Sequence, residues 1–221
     1  SLSPKQAIAL QSQLAQQLES RDRINPVRYI AGVDIGFEEG GAVTRAAVVV
    51  LQWLPEEAPY LPVVEQVVHR EPTRMPYIPG LLSFREIPAV LGAFAKLKTQ
   101  PQLVMVDGQG IAHPRRLGVA AHLGLWLDLP TIGIAKSRLT GKHAEVGEAR
   151  GDWVPLMAGQ EVIGAVLRSR GNVKPVFVSQ GHRLSLDTSL EWVMRCLGPT
   201  KLPEPTRLAD RLASRRDQKK R

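Results

Sequence analysis

Asp107 closes an apolar run, Val104-Met105-Val106, and opens into a loop of small residues, Gly108-Gln109-Gly110. A strand that ends this way fixes a carboxylate at its tip, while the glycines let a ligand approach the backbone closely. Asp34 is framed similarly by Tyr29-Ile30-Ala31-Gly32-Val33 and Ile35-Gly36-Phe37, β-branched and small residues among which a lone charge is costly to bury unless a cation or donor meets it. Two such aspartates predict one shared cation site. Glu86 and Asp210 also stand at boundaries between elements, where side chains from different elements can converge. Oxygen-only donors suit Mg²⁺ or Mn²⁺ rather than zinc.

Each candidate has a plainer reading. Strands disfavour Asp, so a functional role for Asp34 is preferred over a structural one. Ser83-Phe84-Arg85-Glu86 has the spacing of a capping box, which would give Glu86 a helix-closing role, although Pro88 is better placed at a helix start than a turn inside one. Asp210 lies on a helix beside Arg207 and Arg211, either of which can pair with it. Lys136 ends the strand Ile132-Gly133-Ile134-Ala135, where it either offsets phosphate charge or marks the chain's arrival at solvent. His113 before Pro114 binds a phosphate or holds the loop, whereas His122 on an apolar helix reads as a buried, hydrogen-bonded core residue. In Met75-Pro76-Tyr77-Ile78-Pro79-Gly80 two prolines stiffen a short loop; its tip can wedge between stacked bases, or the turn can bury Tyr77 against the core.

The elements that must position these residues follow from periodicity. Ser3 caps an opening helix with Pro4 at its first position and Leu10, Leu14 and Leu18 along one face. Val-rich runs at 28–37, 42–54 and 62–70 predict an antiparallel meander. Then come a helix (88–98), a strand (102–107), a helix (117–127), a strand (131–135), strands at 161–168 and 175–179, and a helix (187–197). A Pro-rich hinge at 202–206 leads into a final basic helix. The stretch from Gly141 to Gly159 shows little pattern and is expected to form a long surface excursion. Three consecutive strands followed by alternating helix and strand is the element order of an α/β, ribonuclease H-like mixed sheet flanked by helices.

The 221 residues, 43% of them hydrophobic, suffice for one substantial core. A single domain over 1–213 is expected, with a basic tail at 214–221. The formal net charge is +8 with a pI near 10.0, which favours a polyanionic partner. From Arg207 to Arg221 seven Lys or Arg and two Asp contribute +5 of that charge, so the body is only mildly basic. Cys196 is the sole cysteine, which excludes a disulfide framework or thiolate zinc site and fits a reducing compartment. No stretch is long and apolar enough to span a membrane, and residues 1–5 lack the pattern of a secretory signal; a cytoplasmic monomer with no membrane partner is expected.

Taken together, six ordered blocks resemble the endonuclease V (deoxyinosine 3′ endonuclease) family at close to full length. Ala31-Gly32-Val33-Asp34 resembles its first metal-binding strand, and Pro76-Tyr77-Ile78-Pro79-Gly80 its strand-separating wedge. Phe84-Arg85-Glu86 resembles its acidic helix, and Asp107-Gly108-Gln109-Gly110 through His113-Pro114-Arg115 its second metal strand and lesion loop. Thr131 to Ser137 resembles its lysine strand, and Pro203 to Asp210 its closing helix. Relatives vary between Asp and His at the position of Asp210.

The resemblance implies Mg²⁺-dependent hydrolysis, with Mn²⁺ as a substitute, of the second phosphodiester bond 3′ to a deaminated adenine. Asp34 and Asp107 would hold the cation, with Glu86 and Asp210 completing the shell and Lys136 offsetting charge. Tyr77, Ile78 and Pro79 would fill the gap left by the turned-out base, which Gly108, Gly110, His113 and Gly133 would help to bind. The implied partner is deoxyinosine-containing DNA; inosine-containing RNA is the alternative substrate, and a catalytically inactive nucleic-acid-binding module of the same fold is the competing class. A dinucleotide-dependent oxidoreductase fails because His113 occupies the third glycine position of the fingerprint and Asp107 would repel a pyrophosphate.

Overall fold

The computed structural model describes residues 2–75, 78 and 81–214. An eight-stranded sheet has the order β3-β2-β1-β4-β5-β8-β7-β6. Strands β1 (Tyr29–Glu38), β2 (Val43–Gln52) and β3 (Val63–Pro72) form the expected antiparallel meander. β4 (Leu103–Asp107) and β5 (Thr131–Ala135) run parallel to β1 at the centre, and β8 (Val176–Gln180), β7 (Glu161–Leu167) and β6 (Trp153–Ala158) complete the sheet in antiparallel fashion.

Side chains alternate across a strand, so the central strands bury two different sets of residues. On one face Ile30, Met105, Ile132 and Ile134 pack with Leu190 and Val193 of α4 (Leu186–Arg195) and Ala209 of α5 (Glu204–Ser214). On the other, Ala31, Val33, Val104 and Val106 pack with Ile87 and Val90 of α2 (Leu82–Ala95) and Leu123 of α3 (Val119–Leu127). Continuing the alternation carries Asp34, Asp107 and Lys136 onto the α4/α5 side. Among the described residues no helix is long and apolar enough to cross a membrane.

Three local expectations are corrected. Helix α2 begins at Leu82, six residues before the expected start, and Pro88 lies inside it. Buried Ser83, Glu86, Ile87, Val90 and Ala93 form one helical stripe, whose packing outweighs the proline's missing N–H. Ser83 therefore lies within the helix, the cap is Leu81 with no side-chain bond, and the capping-box role for Glu86 falls. Second, the excursion from Gly141 to Gly159 contains β6, and Lys142 bridges Met157. Pro155 and a half-exposed edge position weaken its alternation, and an edge strand tolerates that proline. Third, α1 (Pro4–Ala15) has the Ser3 cap but buries Ala7 and Gln11, leaving Leu10 and Leu14 half-buried and Leu18 beyond its end. Gln11 accepts from the Arg115 guanidinium, which ties α1 to the loop after β4. At the other terminus α5 runs through Ser214, one residue past the expected boundary; the rest of the basic tail lies outside the described residues.

Candidate active site

Val33 pairs with Val106 in the parallel β1–β4 ladder, which makes Asp34 and Asp107 the next equivalent positions on neighbouring strands about 4.8 Å apart. Asp107 pairs with Ile134 of β5, and Lys136, two residues on, returns to the same face. Its Nζ stands 3.5 Å from Asp107 Oδ2, with its side chain 48% exposed. Asp34 is 7% exposed, hydrogen-bonds Asp107 and meets Arg45 Nη2 at 3.6 Å. Burial, then the hydrogen bond and charge of Asp107 and the charge of Asp210, push the Asp34 carboxyl up to about 7 against the pull of Arg45. Burial lowers the Lys136 ammonium, but Asp107 and Asp210 outweigh it and raise the group above its ordinary value.

The remaining acids arrive from helices on opposite faces. Pro205 of α5 crosses β1 at Gly32, where a Cβ would lie 1.8 Å from the Pro205 carbonyl oxygen. That close approach brings Asp210 within electrostatic reach of Asp34 and Lys136. The arginine-pairing alternative for Asp210 is answered in part by Arg207, whose Nε donates to Glu204 at 2.7 Å. Glu86 comes from α2, also 7% exposed. Burial, then the charges of Asp107 and Asp34, push it up to about 8, against Arg85. These four carboxyls repel one another, and their oxygen-only chemistry fits a hard divalent cation. Among the described residues no three His, Cys, Asp or Glu side chains already converge as a ligand shell; the Asp34–Asp107 pair is instead flanked by Arg45 and Lys136.

Beside Asp107 lies a pocket of about 440 Å³, walled by Ile35, Phe37, Leu82, Leu117, Val119 and Leu139 and edged by Ser83, Glu86, Gly108, Gln109 and His113. Its volume falls in the usual range for small-ligand sites, about 300–1,000 Å³. Gly108 lines it with φ +155°, a conformation that favours glycine. Gly110 and Gly133 are placed otherwise. A Cβ on Gly133 would meet Gly110 N at 2.3 Å, so this glycine lets the loop cross the strand. The Gly110 N–H donates to Ser179 Oγ at 2.8 Å and its carbonyl accepts from Gly118 N at 2.9 Å. Both are buried, and neither is among the residues that line the pocket. His113 is buried, and its Nδ1 accepts from Arg115 N at 3.0 Å, consistent with holding the loop. His122 is the buried, hydrogen-bonded residue expected. The Ile78 carbonyl accepts from Leu81 N, while Tyr77 and Pro79 lie outside the described residues.

Sequence reasoning missed Arg45 and Gly32. Arg45 sits opposite Gly36 in the β1–β2 register, and a Cβ on Gly36 would meet its guanidinium at 2.3 Å. An arginine inside an otherwise apolar strand, Val43-Thr-Arg45-Ala-Ala-Val48, was the available signal.

A mixed sheet that presents carboxylates at the ends of central parallel strands, joined by acids from helices on both faces, defines a ribonuclease H-like nuclease. Within that class the chain belongs to the Endonuclease V family, whose sequence profile matches residues 12–211. Endonuclease V of Azotobacter vinelandii is 59% identical over 213 residues, covering 96% of this chain and 94% of the relative. The crystal structure of Endonuclease V from Streptomyces avermitilis superimposes with a TM-score of 0.89 at 39% identity, covering 99% and 95% of the two chains. Ciona intestinalis Endonuclease V, in complex with a DNA containing an inosine followed by a ribo-adenosine, matches with a TM-score of 0.83 at 26% identity over 100% of both chains.

Proposed function

We propose that this nuclease is a DNA repair enzyme that recognises hypoxanthine, the product of adenine deamination, and uses Mg²⁺ to hydrolyse the second phosphodiester bond on its 3′ side. The observation that carries the reading is the matched pair Asp34 and Asp107 beside Lys136, opening onto a pocket with apolar walls and a polar edge. Asp34 and Asp107 would hold the cation, with Glu86 and Asp210 completing the shell. When bound, a divalent cation lowers the pKa of attacking water and stabilises charge on the phosphate. Lys136 offsets charge at the scissile phosphate. The apolar walls accept the faces of a turned-out purine, whose edge meets Ser83, Gly108 and Gln109. Tyr77, which lies between two prolines in the sequence, would replace the stacking that the base leaves behind. His113 fixes the loop that carries this edge.

The relative from Ciona, solved with inosine-containing DNA, supports this substrate class. Its inosine is followed by a ribonucleotide, which favours inosine-containing RNA as the second reading. A module without catalysis is disfavoured by the presence of all four acids and Lys136. A free, buried Cys196 fits action in the reducing cytoplasm, and the chain carries its acids and pocket on one protomer, so a monomer suffices. Matched oligonucleotides carrying deoxyinosine, inosine or adenine, with Mg²⁺, Mn²⁺ or chelator, test the proposal. Cation-dependent cutting displaced to the 3′ side of deoxyinosine is expected; cutting in chelator, or equal cutting of adenine, would overturn it.

A further inference from the structure

Two helices on one face of the sheet share a hydrogen-bond chain that starts at the surface and ends at the pocket. On α3 the Trp126 indole Nε1–H donates to His122 Nε2 at 3.2 Å, one helical turn away. An indole nitrogen only donates, so Nε2 must accept. A neutral imidazole that accepts at Nε2 carries its proton on Nδ1, and that nitrogen faces Ser83 Oγ on α2 at 3.1 Å. His122 is buried and packs edge-on against Phe84, with ring centroids 5.0 Å apart. Burial depresses its pKa to about 4, which keeps it neutral near pH 7. The tautomer is therefore set by the tryptophan, and Ser83 Oγ is left as the acceptor of the Nδ1–H. A hydroxyl that accepts still has one proton to donate. The Ser83 side chain makes no other hydrogen bond among the described residues, and it lines the pocket with Glu86 and Gly108.

We infer that the Ser83 hydroxyl, turned outward by the Trp126–His122 chain, donates a hydrogen bond to an acceptor on the base seated in the pocket and so contributes to its selection. The inference rests on the proposed function, since it presumes that a purine occupies the pocket. Hypoxanthine offers O6, N7 and N3 as acceptors, and a fixed donor reads one of them. A serine free to rotate would accept or donate with equal ease and discriminate less.

The test pairs variants with altered bases: affinity and cleavage are measured for oligonucleotides carrying hypoxanthine, its 7-deaza and 3-deaza analogues, and unsubstituted purine, which lacks O6. Ser83→Ala should weaken binding of the hypoxanthine strand by about 3–10-fold, the size of one neutral hydrogen bond, and cause no further loss with the one analogue that lacks the contacted acceptor. Trp126→Phe removes the donor from a side chain that is 62% exposed while keeping an aromatic ring, and should reproduce part of that loss with the same analogue dependence. It also carries the test should Ser83→Ala fold poorly. An equal loss on all four bases, or none, overturns the inference, because a packing role cannot distinguish acceptors. A wild-type enzyme that ignores hypoxanthine altogether sinks the proposed function; one that cuts it without this coupling sinks the Ser83 donor alone.

Discussion

The two faces of the sheet bring acids to the same edge under different electrostatic terms. On the α4/α5 face, Asp34 and Asp107 stand beside Arg45 and Lys136, with Asp210 in reach of Asp34 and Lys136. On the α2/α3 face, Glu86 is buried and opposed by Asp107 and Asp34, with Arg85 as the opposing cation; its neighbours along the helices are the neutral Ser83 and His122. One face thus supplies compensated charge at the candidate site, and the other supplies the pocket wall and one costly carboxylate. Substitutions on the first face should chiefly disturb chemistry and assembly, and those on the second should expose a conflict between stability and activity.

The largest expected effect is that of Asp107→Asn, which removes the charge shared by Lys136 and the proposed cation. Cleavage should fall on the order of 10²-fold or more, while lesion binding stays measurable in Ca²⁺. Robust Mg²⁺-dependent cutting by this variant would dissolve the contrast between the faces. Gly32→Ala comes next. Its Cβ must displace the Pro205 backbone, which should destabilise the protein by about 1–3 kcal/mol in denaturant unfolding and move Asp210 off the site. Wild-type stability and activity would mean that the α5 crossing does not position the acid.

The α2/α3 face is sharpened by pH. With His122 held near 4 in the folded protein against an ordinary 6.5, its contribution is fully present above about pH 6.5 and is lost as pH falls through about 4. Unfolding midpoints of wild type and His122→Gln, compared at pH 7 and pH 4.5, should draw closer at the acid end. A constant gap would mean that His122 does not resist protonation. The smallest effect is Glu86→Gln, which removes a charge that burial penalises: the melting temperature should rise by roughly 2–4 °C, about 1 kcal/mol in a domain of this size, while cleavage drops. A lower melting temperature with full activity per folded molecule would return Glu86 to a purely structural role.

The strand-borne part of the candidate site was legible because it is local. Apolar runs ending at Asp34 and Asp107 announce both the strands and the carboxylates, and the meander and central strands follow from the same periodicity. What could not be read depends on partners distant in the chain. The packing stripe of α2 overrides Pro88, so neither the helix start nor the true setting of Glu86 shows locally. Pro155 and edge exposure hide β6. Gly32 reads as a generic strand glycine, and Gly133 as one that helps to bind the base, until Pro205 and Gly110 are seen pressed against them. Arg45 acquires meaning only from the register that sets it over Gly36.

The crossing of α5 over Gly32 also bears on how the enzyme is made. Asp34, Glu86, Asp107 and Lys136 all emerge during synthesis before Asp210, and α5 is the final described element of the sequence. A domain folds as a unit, and α5 packs into the same core as the central strands, so a growing polypeptide carries most of these acids before the helix that brings Asp210 to them exists. A nuclease built in this order brings its four candidate acids together only after α5 has left the ribosome, so nucleic acid nearby meets no such cluster before then.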